Sequence, residues 1–366
     1  MKRLLRKTFV VLSVSIVLMS TLIVITPQGR TAYRTILFIP QVIHDIPVKP
    51  QEWLTKAPVV REISYLTDNG YRTADLYVPA NSGKHGAVLF FQGVVPGGRY
   101  DPRIVALGEG LARSGMVVMI PWLNTQIEER IVTGDIDNLV RAFQHLRTLE
   151  EVDPSSVGMG GICVGASLST VAAQDSRIRD HVKFVNFFAG YYDAFDFIKS
   201  IASRARFSED YTQPWEPDNL TLNVFRYHLI AGLGSVDDRA TLTNIFFNAD
   251  TDAKVDALSH EGLVVYRLLT GVPFEDTDAL IEKLSPETME FLRRISPSTH
   301  VDQLQARMLI MHDRADRLVP SEESRRLAQA LGENRDTYHT EFSFFQREIQ
   351  VHVGDSKGIG PLAYTK

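Results

Sequence analysis

Five short apolar runs constrain the fold of this chain more than any other feature. They lie at Ala87–Phe91, Met116–Ile120, Val157–Ile162, Val182–Phe188 and Arg307–His312. Each run has the length and the largely apolar character of a strand that is buried on both faces. Pro102–Ser114 and Asp135–Leu149, which lie between runs, show helical spacing of apolar residues. Strands that alternate with helices predict an α/β fold, a mostly parallel sheet with helices on both faces.

A hairpin precedes this alternation and an insertion interrupts it. Val59–Tyr65 and Tyr71–Val78 are strand-like and flank Asp68-Asn69-Gly70, a turn typical of hairpins. After residue 190 the pattern becomes mostly helical, and it returns to strand and helix near residue 299. We therefore predict a core in two parts with a helical lid inserted between them. The predicted segments are 59–190 and 299–366 for the core and 191–298 for the lid.

Within the lid and the second core part, the pattern predicts five further elements. These are helices at Asp196–Arg204, Asp252–Leu269, Pro286–Ile295 and Ser321–Leu331, and a last strand at Glu341–Phe345. Aromatic residues of the lid are candidates to line an apolar acyl pocket, although each could equally belong to a helical core. They are Tyr191, Tyr192, Phe195, Phe197, Trp215 and Phe225.

The N-terminus predicts a membrane anchor. Thr8–Ile25 is a run of 18 residues without a charge, and four cations precede it within Met1–Lys7. A helix of that length nearly crosses a bilayer, and the cations favour a cytoplasmic start with the rest of the chain outside. A cleaved signal peptide and a secreted protein are the alternative, although no Ala-x-Ala follows the run. We assign 1–27 to the transmembrane anchor and 28–58 to a juxtamembrane linker.

Composition excludes several classes of function. A net charge of −5 over 366 residues and a pI of about 6.1 argue against a nucleic-acid partner. Cys163 is the single cysteine, so neither an internal disulfide nor a cysteine-rich zinc site is available. No His-x-x-x-His pair, phosphate-binding loop or dinucleotide fingerprint occurs, and we expect no metal or cofactor. Cys163 is therefore a buried spectator, an intermolecular partner or a reactive thiol, and the oligomeric state stays open.

The surroundings of Cys163 favour a reactive thiol. A predicted strand runs into Gly161-Ile-Cys163-Val-Gly165, and a helix rich in small residues follows. A nucleophile on a sharp strand-to-helix turn needs small neighbours two positions away on each side. The helix N-terminus there is expected to favour a thiolate through its dipole.

An acid and a histidine follow the cysteine in the chain. Asp316 lies four residues past a buried strand and before a Val-Pro pair, and His352 follows the predicted last strand. The order nucleophile, acid, histidine is that of α/β-hydrolase triads. Asp313, His339 and Ser167 are rivals for the three positions. Ser167 would lie a full turn into the helix, where its hydroxyl is expected to bond back to a helix carbonyl.

In these motifs the sequence resembles the α/β-hydrolase superfamily, and the resemblance covers the soluble part from Val59 to Val353 apart from the insertion. Its cysteine elbow is similar to that of dienelactone hydrolases, and also to that of polyhydroxyalkanoate synthases. The motifs that carry the resemblance are Leu76-Tyr77-Val78-Pro79, the strand end at Gln92-Gly93, the Cys163 elbow, and the string His312, Asp316, Val319-Pro320.

The resemblance implies a role for each matching residue. Cys163 is the nucleophile, His352 the general base, and Asp316 the residue that orients the histidine. The backbone N–H groups of Val94 and Val164 form the oxyanion hole. The expected function is cleavage of a small ester, lactone or thioester by a membrane-anchored hydrolase through an acyl-cysteine intermediate. Two alternatives stay open, an acyltransferase resembling polyhydroxyalkanoate synthase and a catalytically silent binding module.

One departure from dienelactone hydrolases concerns the activation of the thiol. Those enzymes carry an acidic residue after the third strand, where this chain has Gln92-Gly93. The resemblance therefore supports the nucleophile more strongly than it supports the way in which that nucleophile is activated.

Overall fold

A computed structural model describes residues 21, 25–43, 46–95, 97–248, 254–332 and 336–343. Eight of its strands form one sheet, and two short strands form a small separate ribbon. The strands of the large sheet are β1 (Val59–Thr67), β2 (Gly70–Val78), β3 (His85–Phe91), β4 (Val117–Trp122), β5 (Val152–Ile162), β6 (Phe184–Phe188), β9 (Arg307–Asp313) and β10 (Thr337–Phe342). The ribbon pairs β7 (Ala205–Phe207) with β8 (Thr212–Pro214).

The order of the strands in the sheet is β1-β2-β4-β3-β5-β6-β9-β10. Strand β2 pairs antiparallel with both β1 and β4, and every other neighbouring pair is parallel. A mostly parallel sheet with a hairpin at one edge and β5 near its centre fits the α/β-hydrolase fold. The predicted fold class is confirmed at this level.

The helices complete the fold. They are α1 (Pro27–Val42), α2 (Pro50–Leu54), α3 (Pro102–Arg113), α4 (Asn124–Ile127), α5 (Gly134–Leu146), α6 (Val164–Ala173), α7 (Ala194–Ser203), α8 (Asn219–Ala231), α9 (Val236–Phe247), α10 (His260–Thr270), α11 (Phe274–Ile281), α12 (Pro286–Ile295) and α13 (Glu322–Leu331). Side-chain caps begin several of them. Asp101, for example, accepts a hydrogen bond from the Arg103 N–H at 2.9 Å, with Pro102 at the first helical position.

Alternate residues of the inner strands enter two separate hydrophobic cores. Val88 and Phe90 pack with Ile104 of α3 on one side, while Leu89 and Phe91 belong to a larger core on the other. Successive side chains of a strand point to opposite faces, so both faces of β3 are covered. The prediction of helices on both faces of the sheet is thus confirmed.

Several predicted boundaries were wrong. Strand β5 begins at Val152 and not at Val157 as predicted, because Asp153–Ser156 continues the strand. The last described strand ends at Phe342 and begins at Thr337, earlier than predicted. Three insertion helices, α8, α9 and α11, were missed. The apolar residues of α9 follow helical spacing weakly, and only its Leu242 is a buried apolar residue.

The insertion lies between β6 and β9 and contributes six helices, α7 to α12, to the described structure. Its first residues are fastened to the core by a buried carboxylate. Glu323 of α13 accepts hydrogen bonds from the backbone N–H groups of Tyr192 at 2.9 Å and Asp193 at 3.0 Å. Burial raises the pKa of Glu323 to about 7, although the nearby Arg326 acts in the opposite direction. The start of the insertion is therefore held by contacts to the core.

The segment predicted as a linker contains α1 and α2, and α1 packs on α3. Most of Thr8–Ile25, the predicted anchor, lies outside the described residues. Among the residues that are described, no helix combines the length and apolarity needed to cross a membrane.

Candidate active site

Cys163 lies at the turn between β5 and α6, in a conformation that only tight packing can hold. Its φ of 54° and ψ of −132° are rare for a residue with a side chain. A Cβ atom on Gly161 would lie 2.5 Å from the Phe91 carbonyl oxygen, and one on Gly165 only 2.1 Å from it. Backbone atoms cannot move away as a flexible side chain can. Both positions therefore require glycine, and the backbone passes as closely as a nucleophile elbow demands.

The thiol of Cys163 is partly buried, and its surroundings hold it protonated. Burial and the negative charge of Asp316 raise its pKa to about 12, while a hydrogen bond from the Val164 N–H opposes that shift. The N–H group at the start of α6 acts in favour of the thiolate, as expected, but burial and the charge of Asp316 oppose it more strongly. A nucleophile with this pKa needs a base to take its proton.

Asp316 is buried beside the same end of the sheet, close enough to act electrostatically on Cys163. One carboxylate oxygen accepts hydrogen bonds from the N–H groups of Leu318 at 2.7 Å and Val319 at 3.3 Å. The other oxygen lies 3.5 Å from Nε2 of His312, which is fully buried in β9. His312 donates through that nitrogen to the Val319 carbonyl at 3.0 Å, which closes the loop around the carboxylate.

His352 lies outside the described residues, so its predicted role as the base stays a prediction. Within the described part of the chain, no histidine is hydrogen-bonded to the Cys163 thiol. His339, the rival, lies inside β10 and not before the last strand as expected, with its Nε2 3.2 Å from the Ser324 hydroxyl oxygen. Asp313 accepts a hydrogen bond from the Ala315 N–H at 2.8 Å and so caps a local turn.

Ser167, the rival nucleophile, is fully buried, and backbone groups engage its hydroxyl. The hydroxyl donates to the Tyr191 carbonyl at 2.8 Å and accepts from the Tyr191 N–H at 2.9 Å. The expected bond back to a helix carbonyl was wrong, because the chain after β6 passes alongside α6 and offers both partners. A hydroxyl in this arrangement joins α6 to the insertion.

The loop after β3 carries Val94 to the elbow. Gly93 has a φ of +72°, and a Cβ atom on it would lie 2.5 Å from the Gly165 backbone nitrogen. Two contacts hold this loop. The Val95 N–H donates to the Gln126 carbonyl at 2.9 Å, and farther along Arg99 makes a two-pronged ion pair with Asp75. Val94 and Val164 therefore both lie beside Cys163, and their oxyanion-hole role stays a prediction.

A cavity of about 270 Å³ opens above Cys163 and extends into the insertion. Helices α7, α8 and α12 supply most of its lining, which is predominantly apolar. Tyr191, Phe197 and Phe225 line it, as the sequence suggested. The other three candidates, Tyr192, Phe195 and Trp215, are not among its lining residues. The indole N–H of Trp215 instead donates to the Asp316 carbonyl at 2.8 Å and holds the loop that carries Asp316.

His228 of α8 is a polar residue in this lining that the sequence did not single out. Its Nε2 accepts a hydrogen bond from the Ile131 N–H at 2.9 Å, and its ring stacks on Phe291. Burial, helped by the charge of Arg130, lowers the pKa of His228 to about 4. The ring is therefore neutral at pH 7, with its proton on Nδ1. The sequence does not indicate this role of His228, because 97 residues separate it from Ile131, its hydrogen-bond partner.

No protein-family model and no curated protein sequence matches this chain. Among solved structures it is similar to the acylaminoacyl peptidase of Pyrococcus horikoshii, with 14% identity, coverage of 86% of this chain and 45% of that one, and a TM-score of 0.48. It is also similar to a hyperthermophilic esterase of Pyrobaculum calidifontis, with 12% identity, coverage of 91% of this chain and 89% of that one, and a TM-score of 0.46. A third similar structure is 2,6-dihydroxy-pseudo-oxynicotine hydrolase, with 12% identity, coverage of 78% of this chain and 61% of that one, and a TM-score of 0.47. The chain spans less than half the length of the peptidase. The assignment of the fold depends on the strand order described above and not on these comparisons.

Proposed function

We propose that this protein is a membrane-anchored α/β-hydrolase that cleaves a carboxylic ester, lactone or thioester with Cys163 as its nucleophile. The observation that carries the proposal is the strained backbone of Cys163, held between glycines at the floor of an apolar cavity. Such strain costs free energy, of the order of 1–3 kcal/mol, and is typical of active sites. A structural cysteine would need neither the strain nor the cavity.

The proposed reaction has two halves. Cys163 attacks the carbonyl carbon as His352 takes the thiol proton, and the N–H groups of Val94 and Val164 stabilise the oxyanion. The tetrahedral intermediate collapses, His352 returns the proton to the leaving alcohol or thiol, and an acyl-cysteine remains. Water then attacks the acyl group with the same base, which releases the acid and restores the thiol. Asp316 orients the histidine and stabilises its charged form.

The lining of the cavity favours a substrate with an apolar acyl part. Ile198, Phe225 and Phe291 belong to it, and their helices leave little polar surface near the thiol. An apolar cavity with few polar groups is the usual form of a small-molecule site. Together with the resemblance to dienelactone hydrolases, the apolar cavity favours a small ester-type substrate.

The location of the protein is part of the same proposal. Thr8–Ile25 anchors the chain in the cell membrane by a single span, and the cations before it hold the start in the cytoplasm and the catalytic part outside. Carbonate extraction of membranes is expected to leave the full-length chain in the pellet. Release of a shorter chain would support secretion after cleavage instead.

The test uses the full-length protein in detergent with p-nitrophenyl esters of graded acyl length. We expect Cys163→Ala and His352→Ala to abolish turnover, and Cys163→Ser to retain a fraction of it. Because Cys163 is the single cysteine, a mass increase equal to the acyl group on the wild-type protein identifies the acyl-cysteine directly. Equal rates for wild type and Cys163→Ala would refute the mechanism.

Two further outcomes separate the alternatives. An ester or polymer product in the presence of a hydroxyacyl thioester, in place of the free acid, would favour acyl transfer. A folded protein that neither turns over esters nor forms an acyl adduct would favour a binding module.

A further inference from the structure

Helix α1 has one face on the core and presents a different one to the outside. Phe38 and Gln41 face α3, because a Cβ atom placed on Gly110 of α3 would lie 3.1 Å from the Phe38 ring and 3.2 Å from the Gln41 side chain. Gln41 is buried, although most other residues of α1 are exposed. The inner face of α1 is therefore defined by residues at helical spacing near its C-terminal end.

The outer side of α1 is apolar where a solvated helix would be polar. Ile36 is 67% exposed and Ile39 45% exposed, and Ile25, just before the helix, is 68% exposed. Gly29 and Ala32 fall between them at helical spacing, so the row carries no charge. At 100° per residue this row lies roughly opposite Phe38. Exposed apolar surface that is continuous, and not scattered, marks an interaction site.

Helix α2 adds a rigidly held aromatic residue beside α1. The Gln51 side-chain amide donates to the Gly110 carbonyl at 3.0 Å and to the Ser114 hydroxyl at 2.9 Å, which fastens α2 to the core. Gln41 donates to Glu52 at 3.2 Å and joins the two helices. Trp53, in the same short helix, is 72% exposed. Tryptophan is enriched at the level of lipid headgroups, where its ring meets both apolar and polar surroundings.

The chain itself indicates what covers this surface. Ile25 is both the last residue of the uncharged run Thr8–Ile25 and the first member of the exposed row. If that run enters a bilayer, the row begins where the chain leaves it. An amphipathic helix at that place has its apolar side available to the boundary between headgroups and acyl chains.

We propose that α1 and α2 dock on the membrane surface, with Ile36, Ile39 and Trp53 inserted among the lipid headgroups. This docking fixes the orientation of the α/β core relative to the bilayer, which a flexible tether alone would leave free. The inference depends on the exposed side of α1 and on the apolar run, and it is independent of the chemistry at Cys163.

The test measures contact between Trp53 and lipid. The full-length protein is reconstituted into vesicles of phosphatidylcholine and phosphatidylglycerol in which the phosphatidylcholine carries brominated acyl chains, which quench tryptophan on contact. We expect a quenched component in the wild type that Trp53→Phe removes, since Trp122 and Trp215 are more buried. Quenching that is the same in the wild type and in Trp53→Phe would overturn the proposal.

A second set of variants tests the helix face. Ile36→Asp is expected to lose most of the Trp53 quenching, with Ile39→Asp as an independent repeat. Val236→Asp is the matched control, because Val236 is equally exposed, at 68%, but lies on the insertion, and it is expected to leave the quenching unchanged. Ester hydrolysis in detergent is expected to be the same in all three variants, so a failed docking result is distinguishable from a failed hydrolase. A cross-linked dimer whose Trp53 is not quenched would assign the surface to a second copy of the chain and refute lipid docking.

Discussion

Removal of His352 is expected to leave Cys163 an unusually inert thiol. The described surroundings raise its pKa from an ordinary 9.0 to about 12, through burial and then through the charge of Asp316. A raised pKa means that the folded protein holds the thiol protonated, so the thiolate is the minor form at every pH below about 12. A base that pairs with the thiol is the route by which the site could react at neutral pH.

The magnitude follows from the size of the shift. Three pH units correspond to about a thousandfold less thiolate than in an ordinary thiol wherever both are mostly protonated. At pH 7 only about one molecule in 100,000 would carry a thiolate. Since the thiolate is the reactive form, the alkylation rate of the His352→Ala variant should rise about tenfold per pH unit up to the limit of folding.

The assay is alkylation by iodoacetamide from pH 5 to pH 11, followed by mass spectrometry of the intact chain. One cysteine in 366 residues means that each adduct reports Cys163 alone. The denatured protein provides the control and is expected to follow an ordinary thiol titration. In the folded wild type, a cysteine–histidine pair would add a reactive component between about pH 6 and pH 8.

Two results would count against the reasoning. If the alkylation rate of folded His352→Ala levels off below about pH 10, burial does not hold the thiol protonated as described. If wild type and His352→Ala follow the same profile throughout, His352 is not the base. Either result would leave the fold assignment intact, because that assignment depends on the order of the strands.

Three further predictions concern packing and charge. Gly165→Ala should destabilise the protein by more than about 3 kcal/mol, since its Cβ would lie 2.1 Å from the Phe91 carbonyl oxygen. Gly134→Ala is the control, because a Cβ there has no atom within 4 Å, and it should be neutral or stabilising. Thermal melting measures both changes. Arg99→Ala should lower kcat and cost about 2 kcal/mol of unfolding free energy, because it releases the loop that carries Val94. Arg61→Ala removes an exposed ion pair and should change neither quantity. The folded state keeps the proton of Glu323 up to about pH 7, so the free energy of unfolding should fall by about 3 kcal/mol as the pH rises from 4.5 to 7. Denaturation of Glu323→Gln should lack that fall.

The inner strands and the elbow could be predicted from the sequence because their signals are local. A strand buried on both faces must be apolar throughout, so β3, β4 and β6 could be recognised from a few consecutive residues. The glycines at 161 and 165 are likewise required by contacts at a turn that they themselves build. Boundaries were less predictable where polar residues, such as Asp153 to Ser156, continue a strand at the edge of the core.

The state of the candidate site could not be predicted in this way. The dipole at the start of α6 is a local property and favours a thiolate, but Asp316 approaches from β9 and the insertion covers the thiol. The titration of Cys163 depends on that distant charge and on that burial. The same reason explains Ser167, whose hydroxyl meets the Tyr191 backbone and not its own helix.

The sequence by itself determined the α/β architecture, the glycine-lined turn at Cys163 and the chain order of the candidate triad. These properties follow from periodicity and backbone sterics, which act between neighbours in the chain. The tertiary structure decided the apolar cavity, the neutral His228 within it, the protonated thiol and the two faces of α1. Each of these depends on which distant segment removes water or adds a charge, and desolvation and Coulomb forces act through space without regard to separation in sequence.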